Sequence, residues 1–77
     1  MMRFKSTCGL FEKNVVDLEH GIEFVEKSAQ RANQSLIFLA NSYVDGRLVE
    51  DDSCQLEFRV DFTPNEITVW MDMFRAV

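Results

Sequence analysis

One histidine, two cysteines and thirteen acidic residues carry most of the chemistry open to this 77-residue chain. His20 is the only candidate for a general base or a switch near neutral pH. A catalytic grouping would need a nucleophile beside it. Ser28 lies in the same helix-favouring stretch, but eight residues on. Ser42 and Ser53 have no local nucleophile signature, and no G-x-S-x-G elbow occurs. His20 therefore reads as a polar residue near a helix bend, solvated or donating to a carbonyl.

Cys8 and Cys54 stand far apart. Structural zinc sites use close-spaced pairs such as C-x₂-C, which are absent, so no metal is expected. In a reducing compartment the two read as free thiols. Asp45, Glu50, Asp51 and Asp52 form an acidic run. It lacks the alternating ligands, central Gly and closing Glu of a calcium loop, and reads as a solvated loop. No acid sits in an apolar stretch that would raise its pKa for glycoside chemistry. Gly9, Gly21 and Gly46 are isolated, so no phosphate cradle is present. The residues predict no enzyme and no cofactor.

The formal charge is −5. Coating nucleic acid or docking on anionic lipid calls for a basic face, so both are disfavoured. An acidic surface suits solubility, a basic partner, or imitation of nucleic acid. Met1 to Cys8 has no apolar run after its basic residues and does not read as a leader or anchor. A cytoplasmic location is the expectation. Asn33-Gln34-Ser35 matches a glycosylation sequon, but inside a helical pattern and without an export signal it reads as chance.

Periodicity indicates the elements that would position these residues. Val15, Leu18, Ile22, Val25 and Ala29 fall three and four apart, and Ala32, Leu36, Leu39 and Tyr43 continue the line. That spacing predicts a long helix over 12–43, kinked or divided near His20–Gly21. The run Leu36-Ile37-Phe38-Leu39-Ala40 is too short to cross a membrane, and its unbroken character predicts burial on more than one side. Leu56, Phe58, Val60 and Phe62 alternate with Glu57, Arg59 and Asp61, the pattern of a strand with one dry face.

A small antiparallel sheet over about 3–8, 47–50 and 54–62 is therefore expected beneath the helix. Asp45-Gly46 is the turn signal before it. Thr63-Pro64-Asn65-Glu66 has the form of a capping box, with Phe62 and Ile67 placed as a staple. It predicts a C-terminal helix over 64–75. The rival is a strand over 66–74, favoured by Ile67-Thr68-Val69 and turning at Pro64-Asn65. The whole chain, 1–77, reads as one compact α+β domain.

Surplus apolar mass points to a protein-binding regulator or accessory subunit, as a homodimer or with another protein. The interface residues would be Leu36, Phe38, Trp70, Met71, Met73 and Phe74. An alternative is a phage-type inhibitor that mimics nucleic acid through Asp45, Glu50, Asp51, Asp52, Glu57 and Asp61. A structural or assembly protein is a further class. Neither nucleic acid nor membrane is an expected partner.

Overall fold

The structure is a computed structural model and describes residues 1–44, 47–48 and 55–74. It opens on a hairpin. β1 (Met2–Ser6) pairs antiparallel with β2 (Glu12–Val15), Phe4 opposite Lys13. Between them the chain turns through Gly9, whose φ of +79° is open to glycine without strain. The Gly9 N–H reaches the Ser6 carbonyl at 3.0 Å.

The helix α1 (Leu18–Ala32) comes next, and the chain returns as β3 (Leu36–Val44). A short β4 (Arg47–Leu48) pairs with the end of β3. β5 (Gln55–Thr63) and β6 (Glu66–Phe74) close the fold as a hairpin. Side by side the strands run β2-β1-β3-β5-β6, every pair antiparallel. The helix lies against one face of this sheet.

The expected long helix over 12–43 is overturned. That span is β2, then α1, then β3. Asp17 starts α1 by accepting the His20 N–H at 2.9 Å, an N-cap that removes one unpaired donor. Asn33 ends it in the left-handed region, φ 55°. Its N–H turns back to the Gln30 carbonyl, and the Gln34 N–H returns to Ala29. Closures of this kind satisfy the last carbonyls and stop a helix. The sequon at Asn33 therefore straddles a helix end rather than lying within one.

No bend occurs at Gly21, which lies in the first turns of one continuous helix. The expected C-terminal helix over 64–75 is also overturned. Glu66–Phe74 is a nine-residue strand, so the rival strand over 66–74 matches. The capping chemistry is real but serves a turn. Thr63 Oγ1 accepts the Glu66 N–H and donates to its carbonyl, both at 3.0 Å. Phe62 and Ile67 meet across the hairpin as directly opposed residues. The expected small sheet is overturned too, since the strands make up most of the fold. Of its members, the strand over 3–8 is β1, which stops at Ser6 with 7–8 in the turn. The strand over 54–62 is β5, with 54 outside the described residues. Of the strand expected over 47–50, Arg47–Leu48 is formed, and 49–50 lie outside the described residues.

Directly opposed residues share a face. Phe4, Phe38, Ala40, Phe58 and Val60 point toward α1, where Val25 and Ala29 complete a buried core. The rings of Phe4 and Phe58 stand 4.9 Å apart, and Phe24 meets Phe38 edge-on at 5.6 Å. Burying each such ring is worth about 1.5–3 kcal/mol. Among the described residues no helix is long and apolar enough to cross a membrane.

Candidate functional site

Among the described residues one helix packs on one face of the sheet, and none covers the other. Arg3 and Lys5 of β1 lie there, opposite Asn41 and Leu39 of β3. Glu57, Arg59 and Asp61 of β5 continue it, opposite Asp72, Trp70 and Thr68 of β6. The alternation read in β5 therefore puts Phe58 and Val60 in the core and its charges on the uncovered face.

Trp70 is the largest side chain on that face and is 53 % exposed. It is held rather than loose. Its indole N–H donates to Asp61 Oδ2 at 2.9 Å, a diagonal contact across the β5–β6 pair. The Arg59 guanidinium lies 5.7 Å from the ring centre, and Arg59 Nε is 3.6 Å from Asp61 Oδ1. One carboxylate thus anchors both an arginine and a tryptophan. Next to this cluster lie Ile37, 39 % exposed, and an open hollow of about 350 Å³ between the start of β3 and β5.

The residue after Trp70 points the other way. Met71 opposes Phe58, on the helix side, and is nevertheless 54 % exposed. β6 is the last strand of the sheet, so α1 leaves this position uncovered. Large apolar groups therefore project from both faces of one edge strand.

Of the six interface residues expected from composition, the fold sets two apart. Leu36 and Phe38 are buried against α1 and closed to a partner. Trp70 and Met71 are exposed neighbours. Met73 and Phe74 belong to β6 by backbone, and their side chains lie outside the described part. Of the acidic set, Glu57 and Asp61 share the uncovered face. Asp45, Glu50, Asp51 and Asp52 lie outside the described residues, as does Cys54.

His20 lies in the first turn of α1, not at a bend. Its Nδ1–H donates to Asp17 Oδ1 at 2.6 Å, and this bond raises its pKa above the ordinary 6.5. Asp17 is lowered in turn, first by the His20 backbone N–H and then by the ring. Ser28 is about 12 Å along the helix axis from His20 at 1.5 Å per residue. Its hydroxyl donates to the Phe24 carbonyl at 2.8 Å, so the two are not a nucleophile–base pair. Cys8 is exposed and free; a hydrogen bond with the Ser6 hydroxyl, 3.2 Å away, holds its thiol below the usual value. Among the described residues no three His, Cys, Asp or Glu side chains gather in a way that could hold a metal ion.

Compared with protein-family models, with curated proteins and with solved structures, the chain matches none. Sequence reasoning singled out Trp70 and Met71 from their types. It missed that they share an edge, because it took 64–75 for a helix.

Proposed function

We propose that this chain is a small protein-binding regulator or accessory subunit of the cytoplasm, and that it engages its partner through β6. One observation carries this. β6 is a nine-residue outer strand with Trp70 and Met71 more than half exposed on its two faces. An outer strand presents unpaired N–H and C=O groups along its length. Proteins that must stay apart blunt such edges with lysine, proline or a bulge. β6 contains neither lysine nor proline; its charges are Glu66 and Asp72. Its register with β5 runs without a bulge from Glu66 to Phe74. Its central Ile67-Thr68-Val69-Trp70-Met71 is strongly strand-forming and uncharged.

A second copy of the chain is the simplest occupant, since two such edges can pair about a twofold axis. Another protein offering a strand would use the same hydrogen bonds. The acidic-mimic reading has less in its favour. Of the two described acids on the uncovered face of β5, Asp61 is already engaged by Arg59 and Trp70.

Sedimentation of the purified chain, with a pull-down from cytoplasmic extract, tests the proposal. Association through β6 should be lost in Trp70→Lys while circular dichroism keeps the native spectrum. A monomer at high micromolar concentration removes the homodimer. Equal capture of the same partner by wild type and Trp70→Lys removes the assignment to β6.

A further inference from the structure

The opposite edge of the sheet carries a second feature of different character. β2 is the other outer strand, and between it and α1 runs an open groove of about 490 Å³. Phe24, Lys27 and Arg31 fall three and four apart and form its helix wall. Lys13 and the exposed Val16, 63 % accessible, form the strand side. Lys13 Nζ lies 6.0 Å from the centre of the Phe24 ring.

The groove holds three permanent cations, Lys13, Lys27 and Arg31, against one carboxylate, Glu23. Glu23 is already bonded to Lys27 at 2.7 Å. Neither Lys13 nor Arg31 makes an ion pair among the described residues. The chain as a whole is acidic, with formal charge −5, whereas the lining of this groove is net basic.

We propose that the groove takes an extended acidic peptide segment, which adds to β2 as a further strand. The open edge supplies main-chain hydrogen bonds, and the groove reads alternate side chains. Every second residue of an added strand faces the helix. A carboxylate at one such position meets Lys13, Lys27 and Arg31. The residues between point away from the helix and need only favour a strand, as Val does. This site is independent of β6 and uses neither of its exposed side chains.

The test uses the full chain and a fluorescein-labelled peptide of alternating Asp and Val, about six residues long, spanning roughly 20 Å. Fluorescence anisotropy should detect binding. The doubly reversed variant, Lys27→Glu with Arg31→Glu, should bind this peptide about tenfold more weakly or worse. It should instead bind an alternating Lys–Val peptide that the wild type refuses. That gain of binding shows that the variant is folded. N-methylation of one alternate set of peptide residues should abolish binding and that of the other set should leave it, because only every second N–H of an added strand faces β2. No binding of the Asp–Val peptide at high micromolar concentration would overturn the proposal. So would equal binding of both peptides, indifference to N-methylation, or displacement by a single-stranded oligonucleotide.

Discussion

Gly21 lies directly over the ring of Phe4. A Cβ built at Gly21 would overlap Cζ and Cε1 of that ring. The glycine is there for close approach of helix to sheet, not for a bend. Phe4 cannot easily yield, since its other side meets Phe58 at 4.9 Å. In an exposed helix interior, Gly→Ala stabilises by about 1 kcal/mol. Here the sign reverses. Gly21→Ala should destabilise by about 1–3 kcal/mol in urea titration, the usual cost of overpacking. Adding Phe4→Leu should recover part of that loss, because the two positions share one volume. A more stable Gly21→Ala chain would show that the helix has room to lift.

The Asp17–His20 pair makes the start of α1 sensitive to pH. The folded-state pKa of His20 is raised, mainly by its hydrogen bond to Asp17. Its contribution is complete below the ordinary pKa of 6.5 and fades as pH rises through the higher folded value. Asp17 is lowered, so its contribution is complete above the ordinary 3.8 and fades as pH falls through the lower folded value. Together they favour the window between those two ordinary values. Melting followed by circular dichroism should show a modest maximum there. His20→Gln should remove the decline on the alkaline side, and Asp17→Ala should lower the melting temperature by a few degrees at all pH values above the window's acid edge. An identical alkaline decline in His20→Gln would place its origin elsewhere.

Two buried serines should behave differently. Ser28 satisfies itself on its own helix, at the Phe24 carbonyl. Ser28→Ala removes a donor and little else, so a change within about 0.5 kcal/mol is expected. Ser6 accepts the Phe11 N–H at 3.1 Å and so ties down the chain entering β2. Ser6→Ala leaves that donor without its partner and should cost about 1–3 kcal/mol. Denaturant midpoints of the two variants, compared side by side, give the answer. Equal midpoints would mean that water replaces the Ser6 hydroxyl.

The apolar run from Leu36 to Ala40 offers a test of sidedness. Phe38 is buried, while Ile37 faces away from the helix and is 39 % exposed. Phe38→Ala should cost about 3–5 kcal/mol, enough to unfold much of a small domain. Ile37→Thr keeps strand propensity and should stay within about 1 kcal/mol of wild type. Comparable losses at both sites would mean that the uncovered face is covered in solution. That result would itself locate an interface.

Trp70 is the only tryptophan, so its fluorescence reports on one place. Half exposed beside Arg59 and Asp61, it should emit at long wavelength and be quenched by iodide when the chain is dilute. Occupation of the β6 edge should shift the emission to the blue and protect it. Emission that is unchanged while sedimentation shows association would move the contact to another surface. The β2 groove, with its separate charge signature, is the first place to look.

Within the sequence, signals that depend on near neighbours were readable. The two-residue period of β5 placed Phe58 and Val60 inward and Glu57, Arg59 and Asp61 outward. The α1 stripe through Leu18, Ile22, Val25 and Ala29 was equally plain. Even Thr63 made the bond its motif suggested, though a helix start and a tight turn both use a hydroxyl to hold an N–H three residues on.

What the sequence by itself determined, then, was local: one amphipathic helix, one alternating strand, and a hydroxyl-closed turn. Only the tertiary structure decided where the helix stops and which state the chain adopts beyond it. Ala32, Leu36, Leu39 and Tyr43 happen to continue a helical period, and a continuous apolar run fits either state. β3 is a strand because β1 and β5 lie on either side of it and pair its backbone. β6 is a strand because β5 supplies a full register from Gln55 to Thr63. Strand stability comes from partners distant in the chain, so it is not written in the segment that becomes the strand.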